Sequence, residues 1–103
     1  MQNENRVPHY NLAKIQELIA KKKYIITHKA QDNARLDFDL TPKEIAKLIL
    51  VLKNTNFYKS MTSIYDHTVW QDVYHLPFGD LILYVKFTKD VLSEFTLLSF
   101  KEK

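Results

Sequence analysis

The chain has no cysteine and a single glycine among its 103 residues. Without a thiol there is no disulfide, no thiolate metal site and no cysteine nucleophile. One glycine supplies no glycine-rich phosphate cradle and argues against long flexible loops. Long apolar runs are missing as well. The longest aliphatic stretch, Leu48 to Leu52, falls far short of the roughly 20 residues a membrane-crossing helix requires. The polar opening Met1-Gln2-Asn3-Glu4-Asn5-Arg6 lacks the apolar segment of a signal peptide. The expectation is a soluble cytoplasmic protein of one domain, residues 1–103, with no membrane partner.

What is present is an ordinary globular balance, 46% hydrophobic and 26% charged, which is not that of a disordered chain. The net charge of +3 is unevenly spread. Residues 1–60 hold 11 basic and 6 acidic groups, a net of +5, whereas residues 61–103 hold 4 and 6, a net of −2. A basic half suits a polyanion such as RNA, although a solvated helical surface has the same composition.

The first half reads as helical. Asn11 is placed to cap a helix whose apolar residues Leu12, Ile15, Leu18 and Ile19 share one face, with Lys21-Lys22-Lys23 at its negative end. Tyr24 to Thr27 is a short strand candidate at a sheet edge. Thr41, Pro42 and Glu44 spell a capping box for a second helix with Ile45, Leu48, Ile49 and Leu52 inside, and Asp39 is assigned to the start of that helix. Phe57, Met61 and Ile64 keep helical spacing for a short third segment. The second half reads as strands: His67 to Leu76, a Pro77-Phe78-Gly79-Asp80 turn, Leu81 to Lys89, and a last strand from about Leu92 to Lys101. Helices followed by a meander predict an α+β fold, with N-terminal helices packed on one face of a mainly antiparallel sheet.

Alternation separates the faces. Leu81, Leu83, Val85 and Phe87 form one face, and Ile82, Tyr84, Lys86 and Thr88 the other. A four-residue hairpin loop sets Leu76 opposite Leu81, Val73 opposite Tyr84 and Gln71 opposite Lys86. Gln71 and His75 then join Tyr84 and Lys86 on a polar face away from the helices. A two-residue loop at Lys89-Asp90 adds the odd positions Ser99 and Lys101, but also Phe95 and Leu97, so the last strand leaves its own register open. Lysines neutralise phosphate, tyrosine stacks on a splayed base, and glutamine reads a base edge, so this face could bind RNA. Any exposed sheet face is also polar for solubility alone.

The four histidines, His9, His28, His67 and His75, show no metal-ligand spacing. His67 and His75, eight residues apart on one strand, would lie roughly 27 Å from each other and cannot act as an acid–base pair. Asp66, Asp72 and Asp80 are too scattered to suggest a two-metal nuclease. No metal or other cofactor is expected.

Two blocks are more specific: Phe57-Tyr58-Lys59-Ser60-Met61-Thr62 and, beyond it, Asp66-His67-Thr68-Val69-Trp70-Gln71-Asp72-Val73-Tyr74. With Leu36-Asp37-Phe38-Asp39 and the terminal Ser99-Phe100-Lys101-Glu102-Lys103, they closely resemble the MqsR (motility quorum-sensing regulator) toxin family. Such proteins are RelE-like ribonucleases of type II toxin–antitoxin pairs. The resemblance implies metal-independent cleavage of single-stranded mRNA at short GC-containing sequences. It also implies neutralisation by an MqsA-like, zinc-binding antitoxin that can carry the toxin into a ternary association with operator DNA. The family's catalytic lysine, glutamine, tyrosine and C-terminal lysine fall on Lys59, Gln71, Tyr84 and Lys101. Lys59 is expected to reach the sheet edge from the third helical segment. His67, His75 and Lys86 are the expected substrate-binding residues, with His75 standing where the family carries an arginine.

The implied chemistry is attack of a ribose 2′-OH on the adjacent phosphate. Lys59 and Lys101 would hold phosphate or supply a proton, Gln71 would position phosphate or base, and Tyr84 would transfer a proton or stack. The rival reading is a non-catalytic RNA- or protein-binding α+β domain using the same face. A structural partner subunit with no RNA affinity is a third.

Overall fold

The computed structural model describes residues 4–63, 66, 68–88 and 91–97, the last of these segments as backbone. Strand β1 (Glu4–Asn5) is followed by helix α1 (Leu12–Ala20), strand β2 (Ile25–Ile26) and helices α2 (His28–Phe38) and α3 (Pro42–Leu50). A 3₁₀ turn at Asn54–Asn56 then leads into strands β3 (Phe57–Thr62), β4 (Trp70–Phe78), β5 (Leu81–Thr88) and β6 (Val91–Leu97). The strands form one sheet in the order β1-β3-β4-β5-β6-β2. Neighbours run antiparallel except β2, which lies parallel to β6 at the edge. This is the expected α+β architecture.

Local chemistry explains the helix boundaries. The Asn11 side chain accepts from the Lys14 N–H at the start of α1, and Thr41 and Glu44 form the reciprocal box at the start of α3. Leu12, Ile15 and Ile19 of α1 and Ile45 and Ile49 of α3 pack with Tyr74, Leu76, Leu83, Val85 and Phe87 of the sheet. Gln16 ties the two helices together. Its amide donates to the carbonyls of Ile49, Leu50 and Leu52 at 3.0, 3.3 and 2.9 Å, satisfying acceptors that the end of α3 leaves open.

Three sequence expectations need correction. Helix α2 was not foreseen because its inner face is made of small residues: Ala30 and Ala34 are fully buried, whereas Leu36 is exposed. Its cap, Thr27, accepts from the Ala30 N–H. Asp39 ends α2 in the left-handed conformation, φ 56°, and does not start α3. The proposed third helix is strand β3. Its spacing suits a helix, but pairing with both β1 and β4 supplies backbone partners that an isolated turn of helix would lack.

The hairpin register also differs. Phe78 faces Leu81 across a two-residue turn, with Gly79 at φ 61° in its first central position. Val73 therefore faces Lys86 and His75 faces Tyr84. The shift is by two residues, so each side chain keeps its expected face. In the last pair a bulge between Lys86 and Phe87 changes the register, setting Phe95 opposite Val85 and Leu97 opposite Leu83. These two positions thus align with core residues and not with the polar set. Ser99 and Lys101 lie outside the described residues.

One carboxylate joins the N-terminal segment to the sheet. Asp72, fully buried on β4, accepts the backbone N–H of His9 at 3.0 Å and of Tyr10 at 2.8 Å. The Tyr10 hydroxyl donates to the Trp70 carbonyl at 2.9 Å, and the His9 ring stacks on Trp70 with centroids 5.2 Å apart. Charge-assisted hydrogen bonds of this kind contribute about 1.5–3 kcal/mol each. Asp72→Ala is therefore expected to cost on the order of 3 kcal/mol, read as a lower urea midpoint. Asp80→Ala, on the exposed turn, should stay within about 0.5 kcal/mol of the parent.

Candidate active site

Residues directly opposite in an antiparallel pair share a face, so register alone lays out the side of the sheet away from the helices. Met61 faces Gln71, Lys59 faces Val73 and Val73 faces Lys86, and His75 faces Tyr84. Lys59, Gln71, His75, Tyr84 and Lys86 thus come from three adjacent strands onto one surface, each half-buried. Strand spacing puts the Lys59 and Lys86 Cα atoms roughly 10 Å apart, and Lys59 about 8 Å from Gln71 and about 12 Å from Tyr84. Long side chains can close on one phosphodiester across such distances. Val73, fully buried between the two lysines, gives this surface an apolar floor.

Lys59 does not come from a helix, as the sequence suggested. It lies in β3, inside the sheet, between β1 and β4. The strand is irregular just before it: Phe57 faces Tyr74 and Lys59 faces Val73, which leaves Tyr58 as an extra residue. A bulge re-aims side chains. Phe57 stays in the core against Tyr74, 5.6 Å between centroids, while Tyr58 stacks on His75 at 4.3 Å and 23°. Tyr58 remains 43% exposed. The Lys59 ammonium lies 5.5 Å from the Tyr58 ring centroid, and that of Lys86 lies 6.0 Å from the ring of Tyr84. A 2.9 Å ion pair joins Lys59 Nζ to the carboxylate of Glu4 on β1.

The electrostatics are those of cations on aromatic supports. Burial lowers the pKa of His75 below the ordinary histidine value, and its Nε2 is buried without a hydrogen-bond partner among the described residues. His75 is therefore a neutral stacking surface near pH 7. Tyr74 on the opposite face is pushed up to about 12 by burial and the nearby Asp72 carboxylate, so it remains a neutral phenol in the core. Among the described residues no three His, Asp or Glu side chains gather where they could hold a metal ion.

Of the seven residues singled out from the sequence, five share this face; His67 and Lys101 lie outside the described residues. Two members of the surface were missed. Tyr58 sits in the same motif as Lys59 and is brought in by the bulge. Glu4 reaches Lys59 across 55 positions through the β1–β3 pairing, and nothing local to its sequence signals that contact.

Comparison with known proteins identifies the family of the chain. Residues 7–102 match the sequence model of a family described as motility quorum-sensing regulator, toxin of MqsA. The chain is also 38% identical over 103 residues to the mRNA interferase toxin MqsR of Escherichia coli (strain K12), spanning 97% of this chain and 99% of that protein. On both grounds, the chain belongs to the motility quorum-sensing regulator toxin family.

Proposed function

We propose that this chain is the toxin of a type II toxin–antitoxin pair, a metal-independent endoribonuclease that cuts single-stranded mRNA at short GC-containing sequences. The observation that carries the reading is the convergence of Lys59, Gln71 and Tyr84, from three strands, on one polar face in a member of this toxin family. The relative from Escherichia coli is named an mRNA interferase. The whole chain serves as one RelE-like toxin domain, acting in the cytoplasm where mRNA is found. An MqsA-like antitoxin is the expected partner, and association with operator DNA would pass through that antitoxin.

The ribose 2′-oxygen attacks the neighbouring phosphorus, the bond to the 5′-oxygen breaks, and the products are a cyclic phosphate and a 5′-hydroxyl. One group must take the 2′-OH proton and another must return a proton to the leaving oxygen. Lys59 and Lys86 flank Val73 and neutralise the non-bridging phosphate oxygens. The Tyr84 hydroxyl, on the neighbouring pair of the same face, carries a transferable proton. The Gln71 amide has none to give at neutral pH and orients phosphate or base. Lys101, assigned by resemblance, supplies a further cation. A substrate without the 2′-OH cannot react.

Purified protein should cleave a single-stranded RNA with several GC sites in the presence of EDTA and leave cyclic-phosphate ends. Lys59→Ala should lose roughly 10²–10³ in rate, the usual cost of one well-aimed donor to a developing anion. Tyr84→Phe should abolish turnover while still binding RNA. Binding of intact RNA without cleavage, with and without translating ribosomes, would establish a binding module in place of an enzyme.

A second expectation concerns pH. Because burial lowers the pKa of His75, the unfolded chain takes up a proton that the folded chain resists. Stability should therefore fall as pH drops below about 6.5. His75→Phe, which keeps an aromatic partner for Tyr58, should reduce the loss of urea midpoint between pH 7.5 and 5.5. An unchanged pH dependence would show that His75 does not contribute to it.

A further inference from the structure

Beside the phosphate-binding lysines lies a cleft of about 270 Å³ lined by Glu4, Asn5, Arg6, Val7, Tyr58 and Lys59. The roles assigned above use only Lys59 of these. The other residues form a distinctive set: an exposed aromatic ring, a carboxylate and a guanidinium, beside the ammonium expected to hold the scissile phosphate. The geometry points to a base-reading subsite in which a guanine stacks on Tyr58 and presents its Watson–Crick edge to the Glu4 carboxylate.

Three features support this occupant. Tyr58 is backed by the His75 ring at 4.3 Å yet is 43% exposed, so a base entering the cleft extends an existing stack. Stacking holds any base and does not choose among them. The choice comes from Glu4. An ionised carboxylate only accepts hydrogen bonds, and it has room for about four. Its Oε2 takes the Lys59 ammonium at 2.9 Å, and among the described residues no hydrogen bond reaches its second oxygen. Guanine alone offers two donors side by side on its Watson–Crick edge, N1–H and the N2 amino group. Adenine and cytosine each pair one donor with a ring-nitrogen acceptor that a carboxylate repels. Uracil has a single N–H between two carbonyls. Arg6, lining the same cleft, adds a cation for a flanking phosphate.

The ion pair links recognition to chemistry. The carboxylate that selects the base also holds Lys59, so a bound guanine arrives with its phosphate next to that ammonium. As the phosphate draws Lys59 toward itself, the ring of Tyr58 is left to the base. The inference deepens the ribonuclease reading and rests on it for its biological meaning, but the binding it describes can be measured without turnover.

The test is titration of the isotope-labelled full-length chain with GMP, IMP, AMP and CMP, following the backbone amides of residues 4–7, 58 and 59. GMP should shift these signals and bind about 10-fold to 100-fold more tightly than AMP. IMP, which lacks the amino group, should fall between them. Glu4→Gln should bring GMP down to the level of AMP. Tyr58→Ala should weaken all four by roughly 10-fold, and Tyr58→Phe should restore them. Equal binding of the four nucleotides, shifts elsewhere on the protein, or an intact guanine preference in Glu4→Gln would overturn the subsite. Cleavage assays on RNAs differing by one G-to-A replacement separate the two claims. Guanine binding without cleavage by the parent protein would retain the subsite and remove the ribonuclease reading. Cleavage whose guanine preference survives Glu4→Gln would do the reverse.

Discussion

The functional face depends on a contact made on the other side of the sheet. Asp72 is a buried carboxylate whose charge is matched by two backbone N–H groups more than 60 positions earlier in the chain. A charge this deep is tolerated only with such partners, and those partners can be supplied only when residues 9 and 10 lie across β4. That one requirement holds the N-terminal segment in place. With His9 and Tyr10 fixed and Tyr10 bonded to Trp70, the chain ahead of them runs along β3 and pairs as β1. The pairing brings Glu4 to Lys59. The chain after them enters α1 at Asn11, so the same contact also sets where the first helix meets the core.

The two faces of the sheet follow from period-two alternation interrupted at chosen places. On β4 the even residues Asp72, Tyr74 and Leu76 are buried on the helix side, whereas Gln71 and His75 are half-buried on the other. Strict alternation in β3 would have separated Tyr58 from Lys59. The bulge at Tyr58 puts both on the polar side and leaves Phe57 in the core. A second irregularity in β6 lets Phe95 and Leu97 align with Val85 and Leu83. The bulge at Tyr58 therefore reconciles hydrophobic burial with the demands of the opposite surface.

Placing the polar set on strands has an energetic consequence. Strand backbones are held on both sides by hydrogen bonds, so charges on them are positioned before any substrate arrives, and little reorganisation is needed during a reaction. Aromatic rings support Lys59 and Lys86: Tyr58 lies beneath Lys59 and Tyr84 beneath Lys86. Their faces attract cations without consuming charge, and the Lys59 ammonium is paired with the Glu4 carboxylate as well. His75, kept neutral by burial, serves as a support for Tyr58 and adds no competing charge.

Local sequence was enough to define the elements whose signals are local. The capping box at Thr41, the Asn11 cap, the apolar stripe of α3 and the alternation of β5 were legible because neighbouring residues create them. The grouping of Gln71, His75, Tyr84 and Lys86 was legible for a related reason: a register error of two residues leaves side chains on the same face. Lys59 was identified only through its motif. Helix α2, whose inner face is alanine, strand β3, whose spacing suits either structure, and the Glu4–Lys59 pair were decided by tertiary contacts alone. Alanine carries no amphipathic signal, and six residues cannot favour a strand until β1 and β4 supply partners for their backbone. Glu4 meets Lys59 through the pairing of β1 with β3, while Asp72 holds residues 9 and 10 against β4. The sequence by itself thus determined the helix ends, the alternation and the residue types of the polar face. The tertiary structure decided which of those residues meet, because pairing and buried-charge satisfaction are properties of segments far apart in the chain.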